Sequence, residues 1–174
     1  CSSDLQEQMD KNNCRMEENT IPKFQDLSIA PMHTCEHILN GTMVKLYGCE
    51  RSRNAHIERK KSKINYELDA PLTSEQIEEV ERRVNEVIRQ DLPVTFEYVN
   101  RLEVPAGVPL DKLPEDASDT LRLVHIGDYD VCACIGVHVA HTAQLGQFKI
   151  NSTSYRDGQF RIVFKLLDSS WPEK

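Results

Sequence analysis

Two short segments far apart in the chain constrain its folding more than anything else: His33-Thr34-Cys35-Glu36-His37 and Cys134-Ile135-Gly136-Val137-His138. On a helix, imidazoles four residues apart lie about one turn from each other on the same face, close enough to meet one cation. From Met32 to Leu46 the residues Ile38, Leu39, Met43, Val44 and Leu46 fall at mainly helical spacing, which predicts a helix beginning at His33. The second segment reads as a strand end and turn, where Gly136 lets the backbone bend so that Cys134 and His138 both reach inward. Three imidazoles and a thiolate form a borderline-soft, nitrogen-rich set that suits one zinc ion, with ferrous iron the competing metal. Each half alone also reads as an ordinary surface His pair or a buried core thiol, and it is their joint occurrence that favours the metal.

At 174 residues the chain is long enough for one sizeable core and too short for two ordinary ones. The expected organisation is an arm over 1–28 that is rich in Gln, Glu, Asn and Lys, a zinc domain over 29–168, and a tail over 169–174 in which Trp171 docks or frays. A net charge of -7 excludes nucleic-acid binding by bulk electrostatics, so any RNA contact must be a local patch, and DNA is not an expected partner. No apolar run is long enough to span a bilayer. Six unevenly spaced cysteines favour reduced thiols and a metal over a disulfide framework, which points to the cytoplasm. The opening Cys1-Ser2-Ser3-Asp4 supports a minor alternative, a lipid anchor through Cys1.

Apolar and charged residues alternate from Ala55 to Leu68, which predicts a hairpin turning at Arg59-Lys60-Lys61-Ser62. Thr73 and Gln76 form a capping box inside a Leu72–Ile77 staple, and Val80, Val84, Val87 and Ile88 continue a helical stripe toward Pro93. Val94, Phe96 and Tyr98 alternate as a strand, followed by a loop with Pro105, Gly107, Pro109 and Pro114 that is placed to cover a site. Further strands are expected over Leu121–Ile126, Val131–Ile135, Phe148–Ile150 and Phe160–Leu167, separated by Gly127-Asp128, Gly146 and Asp157-Gly158. The fold class is α+β, two-layer, with a mainly antiparallel sheet packed against helices.

The segments HTCEHILNG and CIGVHVAHTAQLGQFKI, with NAHIERKKSKINYELDAPLTSEQIEEVERRVNEVIRQDLPV and LRLVHIGDYD between them, resemble the free-standing alanyl-tRNA editing proteins called AlaX. They are similar too to the editing domains of alanyl- and threonyl-tRNA synthetases, and the match runs from about Met32 to Leu167. The resemblance implies an editing-domain fold in which His33, His37, Cys134 and His138 hold zinc beside a pocket for the acceptor end of mischarged tRNA. It also implies deacylation as the reaction. Ile135 and Val137 stand where the family commonly has a small residue and a Thr, Glu36 where it often has Gln, and Cys132 near a position that is often acidic.

Glu36 is the candidate general base, with an outward, solvated position or a supporting contact behind a metal ligand as the alternatives. Thr142, Gly136 and Gly146 are candidates for close approach to substrate, with turn structure the alternative. Arg59, Lys60, Lys61 and Lys63, with Arg51 and Arg53 nearby, form a basic cluster suited to tRNA phosphates or to a solvated hairpin rim. Tyr47 or Tyr66 is a candidate to stack on an unpaired base, core packing being the plainer role for Tyr66, while His56 and His141 read as ordinary surface histidines. Two other functions compete. HTCEH also fits the HxxEH pattern and is similar to the opening motif of S-ribosylhomocysteine lyases. A closed set of four ligands would equally suit a non-catalytic zinc-stabilised module that binds tRNA or a synthetase.

Overall fold

The computed structural model describes residues 26–103 and 120–167. Most of the expected arm, the proline-rich loop and the tail with Trp171 lie outside the described residues. Helix α1 spans Ala30–Tyr47, starting before His33 because Pro31 fits the first turn, where no backbone donor is needed. It stops at Gly48, whose positive φ of 64° lets its N–H reach the Val44 carbonyl at 2.9 Å. Every residue from Met32 to Met43 is buried, so the polar side chains of α1 are carried into the interior along with its apolar ones. Helix α2, Ser74–Arg89, begins with the expected capping box: Thr73 N–H donates to Gln76 Oε1 at 2.8 Å and Gln76 N–H to Thr73 Oγ1 at 3.2 Å. It buries the stripe Val80, Val84, Val87 and Ile88.

Strands β1 (Asn54–His56), β2 (Ser62–Glu67), β6 (Gln147–Arg156) and β7 (Gln159–Leu167) form one antiparallel sheet in the order β1-β2-β7-β6. Ile64 stands opposite Ile162 and Tyr66 opposite Phe160, all four buried, so this face meets the helices as one apolar layer. Strand β6 is far longer than the expected Phe148–Ile150, because its second half, Asn151 to Arg156, is a mostly exposed edge with no apolar period for a sequence reading to detect. The β6–β7 turn is the expected Asp157-Gly158, both residues at positive φ, as a tight two-residue hairpin requires.

A second antiparallel sheet has the order β3-β4-β5, from Val94–Asn100, Thr120–Ile126 and Asp130–Ala133. The architecture is α+β, two antiparallel sheets packed with two helices among the described residues. In β3 the alternation carries a surprise, since only Val94 is buried while Phe96 and Tyr98 are exposed. The chain after His138 is tied to the end of α2 by Val94 N–H to Ala140 O at 2.8 Å and Thr142 N–H to Leu92 O at 3.0 Å. No helix among the described residues is long and apolar enough to cross a membrane.

Candidate metal centre

α1 delivers His33 and His37 from one face, and the chain leaving β5 delivers Cys134 and His138. One donor atom from each of the four lies within 4.8 Å of the others. A tetrahedral zinc sets its donors roughly 3.3 to 3.8 Å apart, so little side-chain movement separates this cluster from a coordination shell. The rings of His33 and His138 are stacked at 4.4 Å between centroids, and His37 meets both edge-on at 5.2 and 4.5 Å.

Two of the imidazoles hydrogen-bond through Nδ1, and the third turns its Nδ1 toward a carboxylate beyond hydrogen-bond distance. His33 Nδ1–H donates to the Val137 carbonyl at 3.1 Å, and His138 Nδ1 lies 2.9 Å from Thr34 Oγ1. His37 Nδ1 stands 4.0 Å from Asp130 Oδ2, a carboxylate gripped by both Arg51 guanidinium nitrogens at 2.7 and 3.2 Å. Outer partners of this kind fix which ring nitrogen faces a metal. The Cys134 sulfur lies 3.4 Å from His33 Nε2 and accepts the Gly136 N–H at 3.4 Å.

The residues fit a metal on an observation independent of their spacing: His37 is fully buried, yet neither ring nitrogen has a hydrogen-bond partner. Buried polar atoms are rarely left in that condition. Burial, reinforced by His138 and His33 and then by Arg51 and Arg122, holds the His37 pKa well below the ordinary histidine range. The neutral form that coordination requires is thereby favoured. Gly136 is required by space, since a Cβ there would sit 1.9 Å from His33 Cε1. Gly41 serves the outer layer in the same way, its missing Cβ making room for Asp130, whose Oδ1 would lie 2.9 Å away.

Four residues around the cluster, Thr34, Arg122, Arg51 and Asp130, belong to no sequence motif that ties them to it. Thr34 is buried between His33 and His37 in the helix and accepts the Val139 N–H at 3.2 Å while meeting His138, joining the two segments of the cluster directly. Arg122 of β4 donates through Nε to the Cys134 carbonyl at 2.8 Å and through Nη2 to the Gly136 carbonyl, holding the ligand loop against the sheet. The Arg51–Asp130 pair backs His37. Only Thr34 had a local hint, a small hydroxyl one residue from His33 on a helix turned inward.

The other candidate residues fall as follows. Glu36 is 2 % exposed, so it is not the outward, solvated residue of the first alternative. Thr142 is buried, and its hydroxyl meets the Val87 carbonyl at 2.9 Å, the Ile88 carbonyl at 3.2 Å and the Leu92 N–H at 2.8 Å, fastening the turn to α2. Gly146 ends the turn Thr142–Leu145. Arg59, Lys60, Lys61 and Lys63 are exposed on and beside the β1–β2 connection. Tyr66 is core, its hydroxyl donating to Asn40 Oδ1 at 2.8 Å, which removes it as a stacking surface, and Tyr47 donates to the Gln76 carbonyl at 3.3 Å. His56 and His141 are exposed beside Glu58 and Asp91. A cavity of about 650 Å³ lies on the other side of Asp130, lined by Gly41, Lys45, Arg51, Arg53, His125 and Tyr129 among others.

Residues 121–163 match the family described as the threonyl and alanyl tRNA synthetase second additional domain. The alanyl-tRNA editing protein AlaX-L of Pyrococcus horikoshii is 35% identical over 119 residues, 68% of this chain and 29% of that protein. An alanine–tRNA ligase of Halorubrum lacusprofundi is 33% identical over 136 residues, 76% of this chain and 15% of the ligase. A further alanine–tRNA ligase, from Caldicellulosiruptor saccharolyticus, is 30% identical over 151 residues, 83% of this chain and 17% of that enzyme. The chain thus spans less than a third of the length of these relatives. The family match lies over β4 to β7 and takes in two of the segments that resemble tRNA-editing proteins, LRLVHIGDYD and CIGVHVAHTAQLGQFKI. Residues 121–163 of the chain belong to the threonyl and alanyl tRNA synthetase second additional domain family.

Proposed function

We propose that this chain is a zinc-dependent hydrolase that removes the amino acid from mischarged tRNA, of the seryl or glycyl kind attached to an alanine tRNA, in the cytoplasm. The observation that carries the reading is the convergence of His33, His37, Cys134 and His138 around a point where a buried imidazole lacks any hydrogen-bond partner. The similarity to an alanyl-tRNA editing protein supplies the substrate class.

An aminoacyl ester is already activated, so water needs only positioning and a proton acceptor; the carboxylic acid and the free 3′-terminal hydroxyl are the products. When bound, zinc supplies Lewis acidity to that attack. The chain's own residues do the rest. Val137, Thr34 and Asp130 orient the three imidazoles, and Arg122 fixes the Cys134 loop. Glu36, a buried carboxylate adjacent to His37 in the sequence, is assigned to accept the proton from water, and Gly136 and Gly146 to allow backbone approach to the acceptor end. The exposed Arg59, Lys60, Lys61 and Lys63 contact tRNA phosphates.

Single-turnover deacylation with a panel of mischarged tRNAs tests the proposal. Release of serine or glycine by zinc-loaded protein, lost on chelation and in Glu36→Gln, is the expected result. Four protein donors are also the number typical of a closed structural site, and this favours a second reading, a zinc-stabilised module that binds tRNA without chemistry. Protein with stoichiometric zinc that binds the charged tRNA and leaves its ester intact would establish that reading instead.

A further inference from the structure

A half-buried strand ordinarily turns its aromatic residues inward, yet β3 leaves Phe96 44 % and Tyr98 69 % exposed. Two residues apart, the pair shares one face of the strand, with side chains roughly 7 Å apart along it. Their ladder partners are Val124 and Arg122. Arg122 lays its guanidinium over the Phe96 ring at 4.5 Å while donating to the Cys134 and Gly136 carbonyls. The Phe96 ring centroid lies 6.4 Å from that of His138, and Ile135, 41 % exposed, belongs to the same ligand loop. An aromatic strip therefore runs from the metal centre out along the edge strand of the sheet.

We propose that Phe96 and Tyr98, with Arg122 stacked on the first, form a platform on which the unpaired nucleotides of an RNA 3′ end stack as that end enters the metal centre. The inference rests on the deacylase reading and deepens it by assigning where the single strand lies. Charge argues for this mode of binding: at a net -7 the chain offers phosphates no general attraction, whereas stacking on aromatic faces needs none and accepts any base. A guanidinium plane beside an aromatic ring is itself a base-stacking surface. Two exposed rings and a half-buried guanidinium also fall well short of the roughly 800 Å² per partner that a standard protein interface buries. The position explains why a strand would keep two aromatic rings in water, at a cost in burial, next to the ligands.

The test uses an RNA hairpin with a four-nucleotide unpaired 3′ end carrying 2-aminopurine, and the same hairpin made blunt. The native chain is expected to bind the overhang form more tightly and to quench its fluorescence. Phe96→Leu and Tyr98→Leu, which keep apolar bulk without a π-face, should each weaken overhang binding about 5- to 100-fold. Phe96→Trp and Tyr98→Trp should retain it, and blunt-hairpin binding should not move. Zinc content is measured on every variant, and Tyr98, the more exposed residue, gives a reading independent of any disturbance at His138. Overhang binding by Tyr98→Leu equal to native, or Trp variants as weak as Leu variants, overturns the platform. Deacylation by the native chain is assayed in parallel: activity without any overhang preference sinks the platform and leaves the hydrolase standing, whereas absence of both release and RNA binding removes both.

Discussion

The two sheets of this molecule are built to different ends. The four-stranded sheet presents a continuous apolar layer, with Ile64, Tyr66, Phe160, Ile162 and Phe164 all buried. The three-stranded sheet buries Val124, Ile126 and Cys132, then releases the chain into the ligand loop at Cys134 and leaves Phe96 and Tyr98 open to solvent. One sheet supports α1 from behind, while the other holds the loop that meets α1 at the His/Cys cluster. Stability and chemistry should therefore separate under mutation.

The largest effect is expected at the ligands. Cys134→Ala removes one of the four candidate donors and leaves the three imidazoles. Metal content measured by elemental analysis should fall to background, and any ester hydrolysis with it. Full zinc occupancy in this variant would contradict the assignment of the centre. On the other sheet, Phe164→Ala opens a cavity in a fully buried position and should cost about 3–5 kcal/mol in denaturant unfolding. Folded molecules of that variant should still hold one zinc each. If Phe164→Ala instead abolished metal binding in protein that remained folded, the two sheets would not be separable in the way described.

Changes around the ligands should fall between these extremes. Thr34→Val keeps volume while deleting the hydroxyl that meets His138 Nδ1 and the Val139 N–H. Removing such an outer partner typically weakens metal affinity about 10- to 100-fold, which competition with a chromophoric chelator would read directly, and Thr34→Ser should restore most of it. Equal affinity in Thr34→Val would reduce Thr34 to a packing residue. Gly136→Ala should weaken affinity at least as much, because the added Cβ must push the His33 ring aside.

What the sequence disclosed divides along the same line. The capping box at Thr73 and Gln76, the primed turn at Asp157-Gly158 and the stripe of α2 are local features whose physics is complete within a few residues, so they are readable before folding. The convergence of the two pairs, His33 with His37 and Cys134 with His138, is legible because each has its own spacing and a shared chemistry. Thr34, Arg122 and the Arg51–Asp130 pair act through contacts with segments distant in the chain, and no periodicity encodes a guanidinium reaching a carbonyl on the neighbouring strand. The outer half of β6 escaped for the opposite reason, since an edge strand of polar residues satisfies its backbone without leaving an apolar pattern. Phe96 and Tyr98 were read correctly as strand residues, but alternation alone does not say which face the core will occupy.

The smallest expected effect lies at the hairpin between β1 and β2, where Arg59, Lys60 and Lys61 are exposed. Reversing Lys60 and Lys61 to Glu changes the local charge without touching Ile57 or Ser62, the buried residues that anchor the connection. Ser62 accepts the Glu58 N–H at 3.0 Å and donates to the Glu58 carbonyl at 2.9 Å, so the turn itself should survive. If these lysines neutralise phosphates, tRNA binding should weaken several-fold at low salt, and the log-log salt dependence should flatten by up to about 0.7 to 0.9 per lost contact. Metal content and unfolding free energy should stay at native values, because exposed charges contribute little to either. A steeper loss at high salt than at low salt would have the wrong sign for counterion release and would remove the hairpin from the tRNA contact. Flattening of the salt slope with zinc intact would instead show a third region acting apart from both sheets, one that attracts the backbone while the metal centre handles the ester.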